Sequence, residues 1–143
     1  MPQLTDNARA SVWAAWMRTP YGPVAVSKAQ LRAAVDAADD WAEAHFADFT
    51  AAIPAGIRTG AAPLVLLANS AGIARGAGPH DVAAGIADRD QAQTLLAAYN
   101  AASAWLTTNV PDYLAAVAAA GAGGLGTTQA LAVLEAVCRQ RAM

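Results

Sequence analysis

The side chains with chemistry to offer are few and widely spaced. His45 and His80 are the only imidazoles in 143 residues. Asp36, Asp39, Asp40, Glu43 and Asp48 form the densest acidic stretch, and Ser70, Ser103, Thr107 and Cys138 are the candidate nucleophiles. A metal or catalytic centre needs two or three converging groups, and no His-x-x-x-His or Glu-x-x-His spacing occurs. His45 falls on an apolar helical seam, so a half-buried, hydrogen-bonding histidine is expected there rather than a general base. His80 follows a Gly-Pro turn beside Asp81. None of the hydroxyls lies in a Gly-x-Ser-x-Gly context or beside a histidine. Cys138 sits on the apolar face of the last helical segment and reads as a small core residue. On a helix, Asp36, Asp40 and Glu43 share one face at steps of four and three. The acidic stretch is therefore expected to be a solvated face, and paired-carboxylate acid–base catalysis is not expected. The glycines of 121–126 follow no strand and precede no Lys, so they read as a flexible connector and not a phosphate loop.

What positions these residues is helix. Of the 143 residues, 41 are Ala, most in helix-compatible contexts. Ala buries little area, so the core must be built from Trp, Leu, Val, Ile, Phe and Met. A net charge of −2 gives no electrostatic reason to bind nucleic acid. One cysteine rules out an internal disulfide and a Cys-rich metal site. No apolar run approaches the roughly 18 residues of a membrane span, and the N-terminus lacks a signal-peptide core. A soluble chain made in a cytoplasm is expected, with no cofactor, no nucleic acid and no membrane partner.

The first helix is expected over about Thr5 to Arg18, capped by Thr5, Asp6 or Asn7, with Ala8, Val12, Trp13, Trp16 and Met17 as its stripe. Thr19-Pro20-Tyr21-Gly22-Pro23 ends it. The second opens at Ser27-Lys28-Ala29-Gln30 with capping-box spacing. Its seam runs Leu31, Val35, Ala38, Ala42, His45, Phe49, Ala52, and Pro54 and Gly56 stop it. A third runs from Ala62 to Arg75 with Pro63 in its first turn, and a fourth opens at Arg89 behind Asp88 and Gln91. The pair Asn109 and Pro111 predicts a helix start near 109, with a matching kink near 45. The last helix is expected over Thr128 to Arg141.

The chain also says one thing twice. Ala33-Ala34-Val35-Asp36-Ala37-Ala38-Asp39-Asp40-Trp41 returns 64 positions later as Ala97-Ala98-Tyr99-Asn100-Ala101-Ala102-Ser103-Ala104-Trp105. Asp48-Phe49-Thr50-Ala51-Ala52-Ile53 likewise returns as Asp112-Tyr113-Leu114-Ala115-Ala116-Val117. Extra residues of the second copy fall in the Gly-rich stretch, where a connector tolerates them. In that copy Asp39 becomes Ser103, Asp40 becomes Ala104 and Glu43 becomes Thr107, which reinforces the reading of the acidic stretch as solvated. The expected architecture is an all-α compact bundle of about six helices, built from related modules at 1–76 and 77–143 that share a core.

Three segments carry a resemblance: Arg9 to Arg18 with its Arg-x-x-Val-Trp, then Leu31-Arg32-Ala33-Ala34-Val35-Asp36-Ala37-Ala38-Asp39-Asp40-Trp41, then Phe49-Thr50-Ala51-Ala52-Ile53-Pro54. Residues 4–75 thereby resemble a group of small α-helical proteins encoded among the structural genes of tailed bacteriophages. The second copy departs from that single-module form. The resemblance implies a non-enzymatic virion component, assembled in the host cytoplasm, that contacts other virion proteins or copies of itself. A small helical adaptor or inhibitor that binds a host protein during infection is the alternative. Exposed aromatics favour protein contacts. Trp13, Trp16, Met17 and Tyr21 are therefore the expected partner-binding residues, along the edge 13–23. The Ala-rich stretch 114–125 is the second candidate.

Overall fold

The computed structural model describes residues 4–17, 28–75 and 89–142. Every regular element among those residues is helical, with no strand among them. α1 spans Asp6–Met17, α2 Lys28–Ala52, α3 Ala62–Ala74, α4 Arg89–Val117 and α5 Thr127–Arg141. Thr5 is the cap of α1, its hydroxyl oxygen accepting from the Ala8 amide at 3.2 Å. Pro63 occupies the first turn of α3, where its missing N–H costs nothing. Arg58 closes the other end of α2 by donating to the carbonyls of Ile53 (2.8 Å) and Ala51 (3.2 Å), two groups the helix leaves without partners.

Five α-helices stand among the described residues where about six were expected of the chain, and the break near 109 does not occur. α4 runs unbroken through Pro111, and α2 runs unbroken past His45. Pro111 is exposed, so the carbonyl it leaves without a donor, that of exposed Thr107, can be solvated. Leu106, Tyr113 and Val117, at most 2% exposed, lie on either side of it at helical spacing. Burial of that stripe against α2 outweighs the local signal to stop. The 121–126 stretch is likewise not a free connector. After Val117 the helix widens into a π turn over Ala118–Ala122, closed by Gly121 at φ 95. Ala122 and Leu125 then pack into the core.

Specific contacts fix the directions of the helices. Trp41 meets Tyr113 and Phe49 meets Trp105, so α2 and α4 run antiparallel. Arg75 bonds Glu135 and Arg139 bonds Asn69, so α3 and α5 are antiparallel too. Gly124 lies against the Gln30 side chain while Arg141 reaches Asp39, so α5 advances along α2 in the same sense, and it leaves α4 at an angle of 92°. Around the bundle the order is α2, α4, α3, α5, with α1 laid over α2 and α5. One buried cluster draws on all five helices, with Leu31, Val35, Phe49, Leu67, Leu106, Leu134 and Val137 among its members. Ala34, Ala38, Ala68, Ala71, Ala98, Ala102 and Ala130 are fully buried between them. Small residues at such positions let helix axes approach closely.

The continuity of α4 generates a test. A proline inside a helix is about 3 kcal/mol worse than Ala, whereas at a helix start it is tolerated. Pro111→Ala is expected to stabilise the fold by on the order of 1–3 kcal/mol in urea unfolding. An unchanged or lowered midpoint would restore the break.

Candidate functional site

Asp39 corrects the reading of the acidic stretch. Asp36, Asp40 and Glu43 are exposed as expected, but Asp39 has 0% exposure. Its Oδ1 accepts from Arg141 Nε at 2.6 Å, and its backbone carbonyl accepts from the same guanidinium at 3.1 Å. Its Oδ2 accepts from Arg9 Nε at 3.0 Å and from the Leu4 amide at 3.2 Å. The two guanidiniums then reach outward. Arg141 pairs with Glu43 at 2.8 Å, and Arg9 with Asp36 and Asp40, each at 3.2 Å. Burial works against the Arg9 cation, but Asp39, with Asp36 and Asp40, more than offsets it and holds the group above its ordinary value. Through these bonds Asp39 ties α1, α2 and α5 together.

The signal for it was present in the sequence. Asp39 follows Val35 by four and precedes Ala42 by three, which puts it on the buried seam. Arg141 follows Leu134 by seven and Val137 by four, on the apolar face of α5. Opposite charges on two apolar faces call for each other.

A second polar group sits where α2 crosses α4. Trp41 donates from Nε1 to Asp112 Oδ2 at 2.8 Å, and His45 Nε2 lies 3.1 Å from the same oxygen. Asp48 Oδ2 lies 3.7 Å from His45 Nδ1. The His45 ring stacks on Trp41 at 4.6 Å. Trp41 and Trp105, aligned in the sequence comparison, touch at 5.6 Å between centroids. Trp41–Tyr113 and Phe49–Trp105 are each 5.1 Å. Trp41 is 4% exposed, while Trp105 is only half-buried. Tyr113 fastens this cluster to α5 by donating its hydroxyl to the Ala130 carbonyl at 2.6 Å. His45 is thus half-buried with a carboxylate partner, as a seam histidine should be.

The other candidates stay apart. Ser70 is buried, its hydroxyl oxygen without a partner among the described residues, and Cys138 is buried on α5. Ser103 is half-buried and Thr107 exposed on α4. His80 lies outside the described residues. Among the described residues no three His, Cys, Asp or Glu side chains are grouped so as to hold a metal ion.

Of the expected partner-binding residues, Trp13 can be placed. It is half-buried on α1 and packs against the core, with the Arg32 guanidinium 4.8 Å over its ring. It lines a cleft of about 300 Å³ between α1 and α2, walled by Ala10 and Val35 and rimmed by Arg9, Arg32 and Asp36. Trp13 therefore closes the bundle and also borders an opening. The side chains of Trp16 and Met17, and all of Tyr21, lie outside the described residues. In the Ala-rich second candidate, Ala115, Ala118, Ala119 and Ala120 are exposed, and Ala122 is buried.

No protein-family model matches the chain, and no curated protein or solved structure does either.

Two tests follow from these contacts. Removing one member of a buried ion pair leaves the other uncompensated, at about 3–5 kcal/mol. Asp39→Asn is expected to lose that much in urea unfolding, and the double change Asp39→Leu with Arg141→Met to recover most of it. Asp36→Asn, at an exposed member of the same network, should change the midpoint little. Burial also pushes the Cys138 thiol up to about 12 and raises the Tyr113 hydroxyl as well. The unfolded chain releases these protons first, so stability is full below the ordinary thiol value of 9.0 and declines as pH rises toward about 12. Melting curves in that window should fall less steeply for Cys138→Ala.

Proposed function

We propose that this chain is a non-enzymatic structural protein of a tailed-bacteriophage particle. In this reading it consists of two related helical modules, 1–76 and 77–143, sharing one core, and it binds other virion proteins or copies of itself. It is assembled in the host cytoplasm. The observation that carries the non-enzymatic reading is what the charged side chains do. Asp39, Arg9 and Arg141 hold α1, α2 and α5 together, and Asp112, His45 and Trp41 join α2 to α4. Their donors and acceptors face one another, an arrangement suited to a rigid subunit.

The duplication draws support from the aromatic crossing. Trp41 and Trp105 are one aligned pair, Phe49 and Tyr113 another. Exchanging the copies turns the Trp41–Tyr113 contact into the Phe49–Trp105 contact, and both are 5.1 Å. A module that packs on its own copy about a two-fold axis produces this reciprocity. The same exchange turns the seam between α2 and α5 into the seam between α4 and α3. In the second copy Ser103 replaces Asp39.

The edge 13–23 remains the proposed contact with other virion proteins or copies of the chain, through Trp13, Trp16, Met17 and Tyr21, with the Ala-rich stretch 114–125 as the second candidate. Mass spectrometry of purified particles decides the reading. Finding the chain at fixed copy number supports it. Absence from particles, with recovery on a host protein, favours the adaptor instead. Charge substitutions at Trp16 and Tyr21 that abolish incorporation while the circular dichroism spectrum holds would place the contact at that edge.

A further inference from the structure

The basic residues near the start of the chain are set apart from acids in the sequence. No Asp or Glu occurs between Asp6 and Asp36, while Arg9, Arg18, Lys28 and Arg32 all fall in that span. Arg9 finds its carboxylates across the helix pair, at Asp36, Asp39 and Asp40 of α2. Lys28 and Arg32 do not. Both are exposed, and neither has a carboxylate partner among the described residues. They stand one turn apart at the start of α2, whose first turn holds no acidic residue. The positive end of the helix dipole therefore adds to their charge.

Arg32 lies 4.8 Å over the Trp13 ring, and both line the cleft of about 300 Å³ between α1 and α2. That cleft is polarised. Arg9 meets Asp36 and Asp40, whereas Trp13, one turn further along α1, meets Arg32, one turn back along α2. The two helices thus run antiparallel here, with the carboxylates of Asp6 and Asp36 toward one end of the cleft and Arg32 toward the other. Ala10 and Val35 supply an apolar wall. Trp13 itself carries a cation on its face and, on its edge, an indole Nε1 buried without a hydrogen-bond partner. An oxygen acceptor bearing negative charge is the chemistry that meets both.

We propose that this cleft and the cations beside it bind an acidic segment of a partner protein. The segment sets an aliphatic or aromatic side chain against Ala10, Val35 and Trp13, and a carboxylate on Arg32. This rests on the reading that the edge 13–23 meets protein, and adds the charge of what it meets. A nucleic-acid strand suits the site less. The chain as a whole stands at −2, which repels a long polyanion. Arg32 also covers a face of the Trp13 ring on which a base would stack.

Fluorescence anisotropy tests this with a fluorescein-labelled peptide, Leu-Phe flanked on each side by Glu-Glu, against the same peptide with Gln for every Glu. The acidic peptide should bind about tenfold more tightly, and Arg32→Gln should remove about that factor. Lys28→Gln should weaken binding in the same direction, and serves alone should Arg32→Gln unfold. Arg139→Gln, which removes a positive charge from α5, should leave the affinity unchanged. Raising sodium chloride from about 50 mM to about 500 mM should weaken the acidic peptide and spare the Gln version. In NMR spectra the Trp13 indole N–H resonance, identified by its loss in Trp13→Phe, should shift as the acidic peptide is added. Equal binding of the two peptides overturns the proposal, as does binding of neither. So does an Arg139→Gln loss as large as that of Arg32→Gln, or full affinity in folded Arg32→Gln and Lys28→Gln. Tighter binding of a labelled oligothymidylate, lost in Arg32→Gln, also overturns it, showing that the site meets nucleic acid. Particle mass spectrometry reports separately on the virion reading. A chain present in particles without acidic preference sinks this proposal alone, and the reverse outcome sinks only the virion reading.

Discussion

A carboxylate with no exposed surface cannot stand alone in a protein interior, and the arrangement of this bundle follows from that at Asp39. Its charge is answered by two guanidiniums that come from opposite ends of the chain, Arg9 on α1 and Arg141 in the last turn of α5. The pair Asp39–Arg141 spans 102 positions of sequence. Satisfying it sets how far α5 must run alongside α2, and where along α2 the first helix comes to rest. Buried ion pairs add little net stability compared with apolar packing, but a displaced register would strand a charge. Here the network selects one assembly of helices whose small Ala faces would otherwise slide past one another.

The aromatic crossing supplies what the alanines cannot. Ala faces allow close approach but bury little area, so the volume between α2 and α4 is filled by Trp41, Phe49, Trp105 and Tyr113. Two polar edges of that cluster are paired across helices, while His45 Nδ1 is buried without a hydrogen-bond partner among the described residues. The Trp41 indole and His45 share the Asp112 carboxylate, and the Tyr113 hydroxyl reaches a backbone carbonyl of α5. The cluster therefore joins three helices and satisfies the Trp41 indole and the Tyr113 hydroxyl. α4 keeps its course through Pro111 because the residues that engage this cluster lie on both sides of the proline.

Much of this was legible in the residues, and the part that was not has a common origin. The bounds of α1, α3 and α5 followed closely from Thr5, Pro63, the Gly and Pro stops and the apolar spacing. Leu31, Val35, Ala38, Ala42 and Phe49 were read correctly as a buried seam, with half-buried His45 as its polar interruption. Asp39 was read with its acidic neighbours as solvated, although its spacing from Val35 and Ala42 placed it on that seam. Asn109 and Pro111 were read as a helix start, because locally they are one. The 121–126 glycines were read as loose, yet Ala122 and Leu125 beside them pack inward.

The sequence by itself determined that this chain is helical, where most of its helices begin and end, and which residues fill the core. Those outcomes depend on capping, backbone hydrogen bonds four residues apart and the 3.6-residue period, all of which act over a turn or two. Only the tertiary structure decided that Asp39 would be buried and that α4 would pass through Pro111. Each of these depends on what a distant segment brings to the spot. Asp39 enters the interior because Arg141 is there to meet it, and Pro111 is carried because α2 lies alongside.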